Sequence, residues 1–165
     1  MLLNWLAQLN EIEGVAVKSP ACGTLLPISS HPELLYNSGI VQQALCIKLQ
    51  QGTVVAPFNS LYQCSLNGRR RLRFKHSSGL TLQLDLSSNL IADCGQGIEY
   101  LAGSNQQLRA GQPVLRLDPH YLHSGQGCYA ALMILPHPAI EAIFCMQRYV
   151  AAATDTAIII QLKNK

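Results

Sequence analysis

Between residues 69 and 75 the chain reads Arg69-Arg70-Arg71-Leu72-Arg73-Phe74-Lys75, placing five of its twelve Lys and Arg residues within seven positions. A guanidinium presents a planar fork of donors that matches phosphate and carboxylate oxygens, so this run suits anion binding. A solvated charged face is the blander reading of the same run. Further along, a leucine-rich segment carries Gln83 and Asp85 between its leucines. That carboxylate could form an ion pair with an arginine or accept a phosphoryl group as an acyl phosphate. Acyl-phosphate sites add acidic ligands for magnesium, and none accompanies Asp85 on its strand.

The other chemistry-bearing residues form no constellation. The five histidines are His31, His76, His120, His123 and His137. No H-x-H pair is present, so zinc held as in lysostaphin-type metallopeptidases is set aside. No base or orienter accompanies any single histidine, and all but His76 fall in or beside expected turns, where a solvated surface role is the ordinary one. Cys22, Cys46, Cys64, Cys94, Cys128 and Cys145 include no C-x-x-C pair and sit in apolar surroundings, as small buried hydrophobes with reduced thiols do. No metal and no cofactor is expected.

Composition narrows the class further. Apolar types make up 48% of the 165 residues and charged types 13%, which excludes a disordered, charge-rich chain. A net charge of +3 is too small to imply a nucleic-acid partner, and the arginine run lacks the interleaved aromatics that stack on bases. No apolar run reaches the roughly 18 residues of a membrane span; the longest candidate, 151–162, is interrupted by Thr154, Asp155 and Thr156. The first residues carry no basic region of a secretory signal, and a cytoplasmic location is expected.

The elements that must position Asp85 and the arginines read as short strands. Turn residues recur along the chain, at Gln51-Gly52, Ala56-Pro57, Asn67-Gly68, Ser78-Gly79 and Ala110-Gly111 among others, a spacing that suits an all-β sandwich or barrel. In the segment 80–86, Leu80, Leu82, Leu84 and Leu86 take one face and Thr81, Gln83 and Asp85 the other. Asn67-Gly68 predicts a hairpin turn. Short helical turns are expected at 32–38, 118–124 and 138–142. Residues 2–9 place Leu2, Leu3, Trp5, Leu6 and Leu9 on one helical face, which predicts a short amphipathic helix within an N-terminal segment 1–13, ahead of one β domain over 14–165. An interfacial membrane anchor is the sharper reading of that helix, but it lacks basic residues on its polar face.

Four blocks carry a resemblance. Ser19-Pro20-Ala21-Cys22-Gly23-Thr24-Leu25-Leu26-Pro27-Ile28-Ser29, Gly52-Thr53-Val54-Val55-Ala56-Pro57, Gly95-Gln96-Gly97 and Leu108-Arg109-Ala110-Gly111-Gln112-Pro113-Val114-Leu115 follow one another in order. Together they resemble the glucose-type enzyme IIA domain of the bacterial phosphoenolpyruvate-dependent sugar phosphotransferase system, over about Val15 to Lys163. The resemblance implies a single-domain antiparallel β-sandwich or barrel with short helical turns. It also implies phosphoryl transfer: one histidine accepts the group from the phosphocarrier HPr and passes it to a IIB domain, while a second imidazole supports it.

Counted along the family pattern with no gap from Pro57 to Gly97, the acceptor position is Asp85 and the second-histidine position is Arg70. Both histidines are therefore expected to be replaced. The neighbouring departures are Gln83, Gly68, Asn89, Gln42 and Ala44. The family arrangement brings Arg70 beside Asp85, with three readings open: an ion pair filling an abandoned site, an anion- or partner-binding patch formed with Arg69, Arg71, Arg73 and Gln83, or phosphoryl transfer onto Asp85. The family's partners are HPr, IIB domains, permeases and metabolic enzymes. Added arginines oppose docking of the positively charged HPr. The expected function is that of a binding or regulatory relative that is not phosphorylated; the alternative is an active phosphotransfer component with a relocated acceptor.

Overall fold

In the computed structural model, residues 2–41, 43–65, 70–88, 97–123, 125 and 127–163 are described. Strands dominate, and they form two sheets. The smaller sheet contains β1 (Leu2–Trp5), β2 (Val15–Lys18), β12 (Ile140–Cys145) and β14 (Thr156–Leu162), in the order β1-β12-β14-β2. The larger is built on β3 (Ala21–Pro27), β4 (Ala44–Val55), β5 (Ser60–Cys64), β6 (Arg71–Lys75), β7 (Thr81–Leu86), β9 (Gln106–Leu108), β11 (Tyr129–Ile134) and β13 (Tyr149–Val150). Its order is β13-β3-β4-β11-β7-β6-β5-β9, and β10 (Pro113–Leu117) joins β8 (Ile98–Tyr100) to the far half of β4. Among the described residues all pairings are antiparallel except β1 with β12.

The long β4 organises the larger sheet. Its first half pairs with β3 and β11, and its second half pairs with β10. At Gly23 a Cβ would run into the Lys48 carbonyl, so only glycine lets β3 pass this close to β4. Tyr62, Leu72, Phe74, Leu82, Leu84 and Leu86 are fully buried, together with Leu25, Leu45, Ile47 and Leu115. The leucines of β7 face this core as their alternation requires.

Two short helices lie where helical turns were expected, α1 (Leu34–Asn37) and α2 (Pro119–Leu122). Asp118 caps α2 by accepting the His120 amide N–H at 2.8 Å. The helical turn expected at 138–142 is instead the start of β12. The N-terminal amphipathic helix is also corrected: Leu2–Trp5 is a strand, paired in parallel with Ala142–Cys145. An available ladder on β12 outweighs helical spacing in so short a run, and Leu3 and Trp5 pack against the core at a strand's period of two. Among the described residues no helix is long and apolar enough to cross a membrane. The hairpin expected at Asn67-Gly68 lies outside the described residues, as do Gln42, Asn89, Cys94, Gly95 and Gln96.

Candidate functional site

Strands β6 and β7 set the centre of the site. They are joined through residues 76–80, where the His76 amide donates to the Leu80 carbonyl and Gly79 takes φ +92°. Only glycine adopts that backbone at no steric cost. The turn locks the register, which places Arg71 opposite Asp85, Leu72 opposite Leu84, Arg73 opposite Gln83 and Phe74 opposite Leu82. Leu72, Phe74, Leu82 and Leu84 point into the core, so Arg71, Arg73, Gln83 and Asp85 share the other face.

That second face of β7 is covered too. Asp85 is 1% exposed and Gln83 is 4% exposed. Arg71 grips the Asp85 carboxylate with both ends of its fork, Nε to Oδ1 at 3.0 Å and Nη2 to Oδ2 at 2.9 Å. The Tyr36 hydroxyl donates to Oδ2 at 2.9 Å, and Gln83 Nε2 donates to the same oxygen at 3.1 Å. Gln83 Oε1 in turn accepts from Arg73 Nε at 2.8 Å. Burial raises the Tyr36 hydroxyl to about 12, assisted by the charge of Asp85 and the hydrogen bond to it. The hydrogen bond to Asp85 raises Arg71 above its ordinary value, against a smaller opposing effect of burial.

Alpha helix α1 and the residues before it roof this face. Tyr36 is buried and pins the helix down, while Leu34, at 77% exposed, and Leu35 point outward, as does Ile40, at 76%. Glu33 holds Arg70, whose Nη1 lies 3.2 and 3.0 Å from its two carboxylate oxygens. The Ser88 backbone N–H also donates to Glu33 Oε1. Burial pushes the Glu33 carboxyl upward, but the Ser88 amide and the Arg70 guanidinium outweigh it and leave the group below its ordinary value. His31 completes the roof. Its Nδ1 accepts the Glu33 amide at 3.2 Å, and its ring meets Tyr36 edge-on at 4.5 Å. Its Nε2 is buried with no hydrogen-bond partner among the described residues. Burial lowers its pKa, Glu33 opposes that, Arg70 adds to it, and Asp85 opposes it.

This arrangement corrects two expectations. Arg70 does not pair with Asp85; Arg71 does, and Arg70 pairs with Glu33. The physical reason is register: strict alternation puts Arg71 and Arg73 on the face of Gln83 and Asp85. Arg70 stands just before β6, where its carbonyl accepts the Leu86 N–H at 2.9 Å. His31 is not a solvated turn residue but 1% exposed. The remaining histidines are separate: His76 Nδ1 contacts the Ser78 hydroxyl, His137 Nδ1 accepts the Ala139 amide, and His120 and His123 are exposed. Arg69 lies outside the described residues. Glu33 and Tyr36 were not singled out by sequence reasoning; the only local signal was a helical turn, and their roles depend on contacts 49 residues away for Tyr36 and 37 for Glu33.

Chemically, the site holds its charges as compensated pairs. Oδ2 of Asp85 accepts three hydrogen bonds and Oδ1 accepts one, close to the full capacity of a carboxylate. Among the described residues no group of three or more His, Cys, Asp or Glu is placed to hold a metal ion. Cys46, Cys128 and Cys145 are buried, and burial pushes their thiols up to about 12, so they are poor nucleophiles.

The larger sheet is a curled antiparallel sheet, and β6 and β7 carry the cluster just described. Residues 15–137 match the family model described as phosphoenolpyruvate-dependent sugar phosphotransferase system, EIIA 1, and the chain belongs to that family. It is 23% identical over 109 residues to the PTS system glucoside-specific EIICBA component of Staphylococcus carnosus, covering 66% of this chain and 16% of that protein. It is 24% identical over 110 residues to the PTS system glucose-specific EIIBCA component of Corynebacterium glutamicum, covering 67% of this chain and 16% of that protein. The chain thus spans about a sixth of the length of these relatives. In structure it is similar to glucose permease IIA from Mycoplasma capricolum, with a TM-score of 0.74 and 14% identity over 92% of this chain and 99% of that one.

Proposed function

We propose that this chain is a binding and regulatory member of the EIIA family that does not carry a phosphoryl group at the family's usual position. The observation that carries the proposal is the state of Asp85. Counted along the family pattern, we read it as the acceptor position. It is a carboxylate, it is 1% exposed, and its oxygens already accept four hydrogen bonds. A nucleophile needs a free lone pair and a clear line of approach. Burial denies Asp85 that line of approach and Arg71 engages both of its oxygens, which favours the ion pair that fills an abandoned site over an acyl phosphate.

The binding surface is α1 and the residues that follow it. Leu34, Leu35 and Ile40 are exposed large apolar side chains, with the Arg70–Glu33 pair below. A protein partner with an apolar centre fits this face. The cationic residues nearby disfavour HPr as that partner, and IIB domains, permeases or metabolic enzymes remain the classes the family offers. The glucose and glucoside named for the relatives are what supports a role in sugar uptake or its control, in the cytoplasm.

A relocated acceptor has one observation in its favour, the unpartnered Nε2 of His31 within the same cluster. Against it, His31 is 1% exposed and no donor reaches it unless α1 moves. One assay separates the two readings. The protein is incubated with labelled phosphoenolpyruvate, the general phosphotransferase enzyme and HPr. No stable label is expected. Stoichiometric label that is acid-labile and lost in His31→Gln would establish the second reading and overturn the first.

A further inference from the structure

The arginine face continues beyond Asp85 into a cleft of about 420 Å³, lined by Gln63, Cys64, Ser65, Arg71, Arg73, Ser104 and Asn105. Its two arginines differ. Arg71 is neutralised by Asp85. Arg73 spends only Nε, on the neutral amide oxygen of Gln83, and has no acidic partner among the described residues. Its outer fork edge, Nη1 and Nη2, makes no hydrogen bond there. A held guanidinium with a spare edge is a preorganised anion ligand.

The walls are built from neutral polar groups. Gln63 lies directly across β5 and β6 from Arg73, and its Nε2 donates to Asn105 Oδ1 at 3.4 Å. The opposite wall is the turn at 104–105, tied to the sheet by the Asn105 amide donating to the Tyr62 carbonyl at 2.7 Å and the Cys64 amide donating to the Ser104 hydroxyl at 3.0 Å. Asn105 sits at φ +67°, a left-handed conformation that Asn and Asp tolerate better than other side chains. Among the described residues Arg71 and Asp85 compensate each other, which leaves Arg73 as the uncompensated charge on the cleft lining, with hydroxyl and amide groups beside it.

We infer that this cleft binds a small, hydroxyl-bearing phosphate monoester, with the phosphate on Arg73 and the polar body against Gln63, Ser104 and Asn105. The site is separate from the apolar face of α1 and stands or falls independently of the proposed function. Its size and the polar side chains among its lining residues suit a small polar molecule.

The test is a titration of the ¹⁵N-labelled full chain with sn-glycerol 3-phosphate, inorganic phosphate and glycerol, ionic strength held constant with chloride. Saturable shifts at the amides of Gln63, Ser104 and Asn105 are expected with glycerol 3-phosphate, weaker ones with inorganic phosphate, and none with glycerol. Arg73→Gln should weaken binding at least tenfold. Asn105→Asp, nearly isosteric and compatible with the same backbone, should do the same by placing a carboxylate in the cleft. Arg116→Gln, at an exposed pair with Glu99, should bind within twofold of the wild type. Absence of saturable shifts would overturn the inference. So would wild-type affinity in Asn105→Asp, or inorganic phosphate binding as tightly as the monoester.

Discussion

Arg71 faces Asp85 across the β6–β7 ladder and holds both of its carboxylate oxygens, at 3.0 and 2.9 Å. Asp85 is buried while the Arg71 side chain remains 44% exposed. The pair is therefore asymmetric: the carboxylate depends on the guanidinium far more than the reverse. Removing the cation leaves a buried carboxylate with only the neutral donors Tyr36 and Gln83.

Arg71→Ala should accordingly destabilise the fold by about 2–3 kcal/mol, somewhat under the loss typical of a fully buried pair because Arg71 is half in solvent. Asp85→Asn, which leaves no stranded charge, should cost less. The double variant Arg71→Leu/Asp85→Leu should recover part of the loss. Urea denaturation midpoints at one m-value would measure all three; equal losses for Arg71→Ala and Asp85→Asn would contradict the asymmetry.

Tyr36→Phe removes one hydroxyl donor to the same carboxylate and little volume. A loss of about 1.5 kcal/mol is expected, in the range for a hydrogen bond to a charged group. The hydroxyl itself should resist ionisation to about pH 12, visible as a late phenolate absorbance from which Tyr36→Phe removes one tyrosine, the buried Tyr62 remaining late.

Acid should loosen the roof in two stages. His31 titrates below its ordinary 6.5 in the folded chain, so the unfolded chain binds the proton first. Its contribution is complete above pH 6.5 and is lost as pH falls through the lower folded value. Glu33, held below its ordinary 4.5, acts in the same direction at lower pH. Thermal midpoints from pH 8 to pH 3 should fall first below 6.5 and again below 4.5. His31→Gln should flatten the first descent and Glu33→Gln the second; a first descent unchanged in His31→Gln would assign it elsewhere.

Leu34→Asp/Ile40→Asp changes two side chains that are 77% and 76% exposed. Stability should stay within about 0.5 kcal/mol of the wild type per site, as for surface positions generally. If the proposed docking face is right, capture of a IIB domain or permease from solution should drop at least tenfold. Full retention of binding would move the docking face away from α1.

Much of the architecture was readable in the residue order. Alternating leucines at 80–86 announced a strand with a core face, Gly- and Pro-containing turns announced many short strands, and the four family blocks predicted an EIIA fold that the matched family and the solved relative support. These features are local: a period of two or a turn residue acts on its own few neighbours. The N-terminal segment shows the limit of that logic, since helical spacing in Leu2–Trp5 yielded to an open ladder on β12.

The site divides the same way. Residue order marked Asp85, Gln83 and the arginine run as the place where charge concentrates. Which arginine meets Asp85 was a question of register, and a shift of one residue exchanges the two faces of a strand. Only the pairing of β6 with β7, locked by the turn at Gly79, selected Arg71 and sent Arg70 to Glu33. The roof of His31, Glu33 and Tyr36 was decided by tertiary structure alone, because its contacts join chain segments that no local period relates. Burial then set their protonation, for desolvation comes from what is packed around a group and not from its neighbours in sequence.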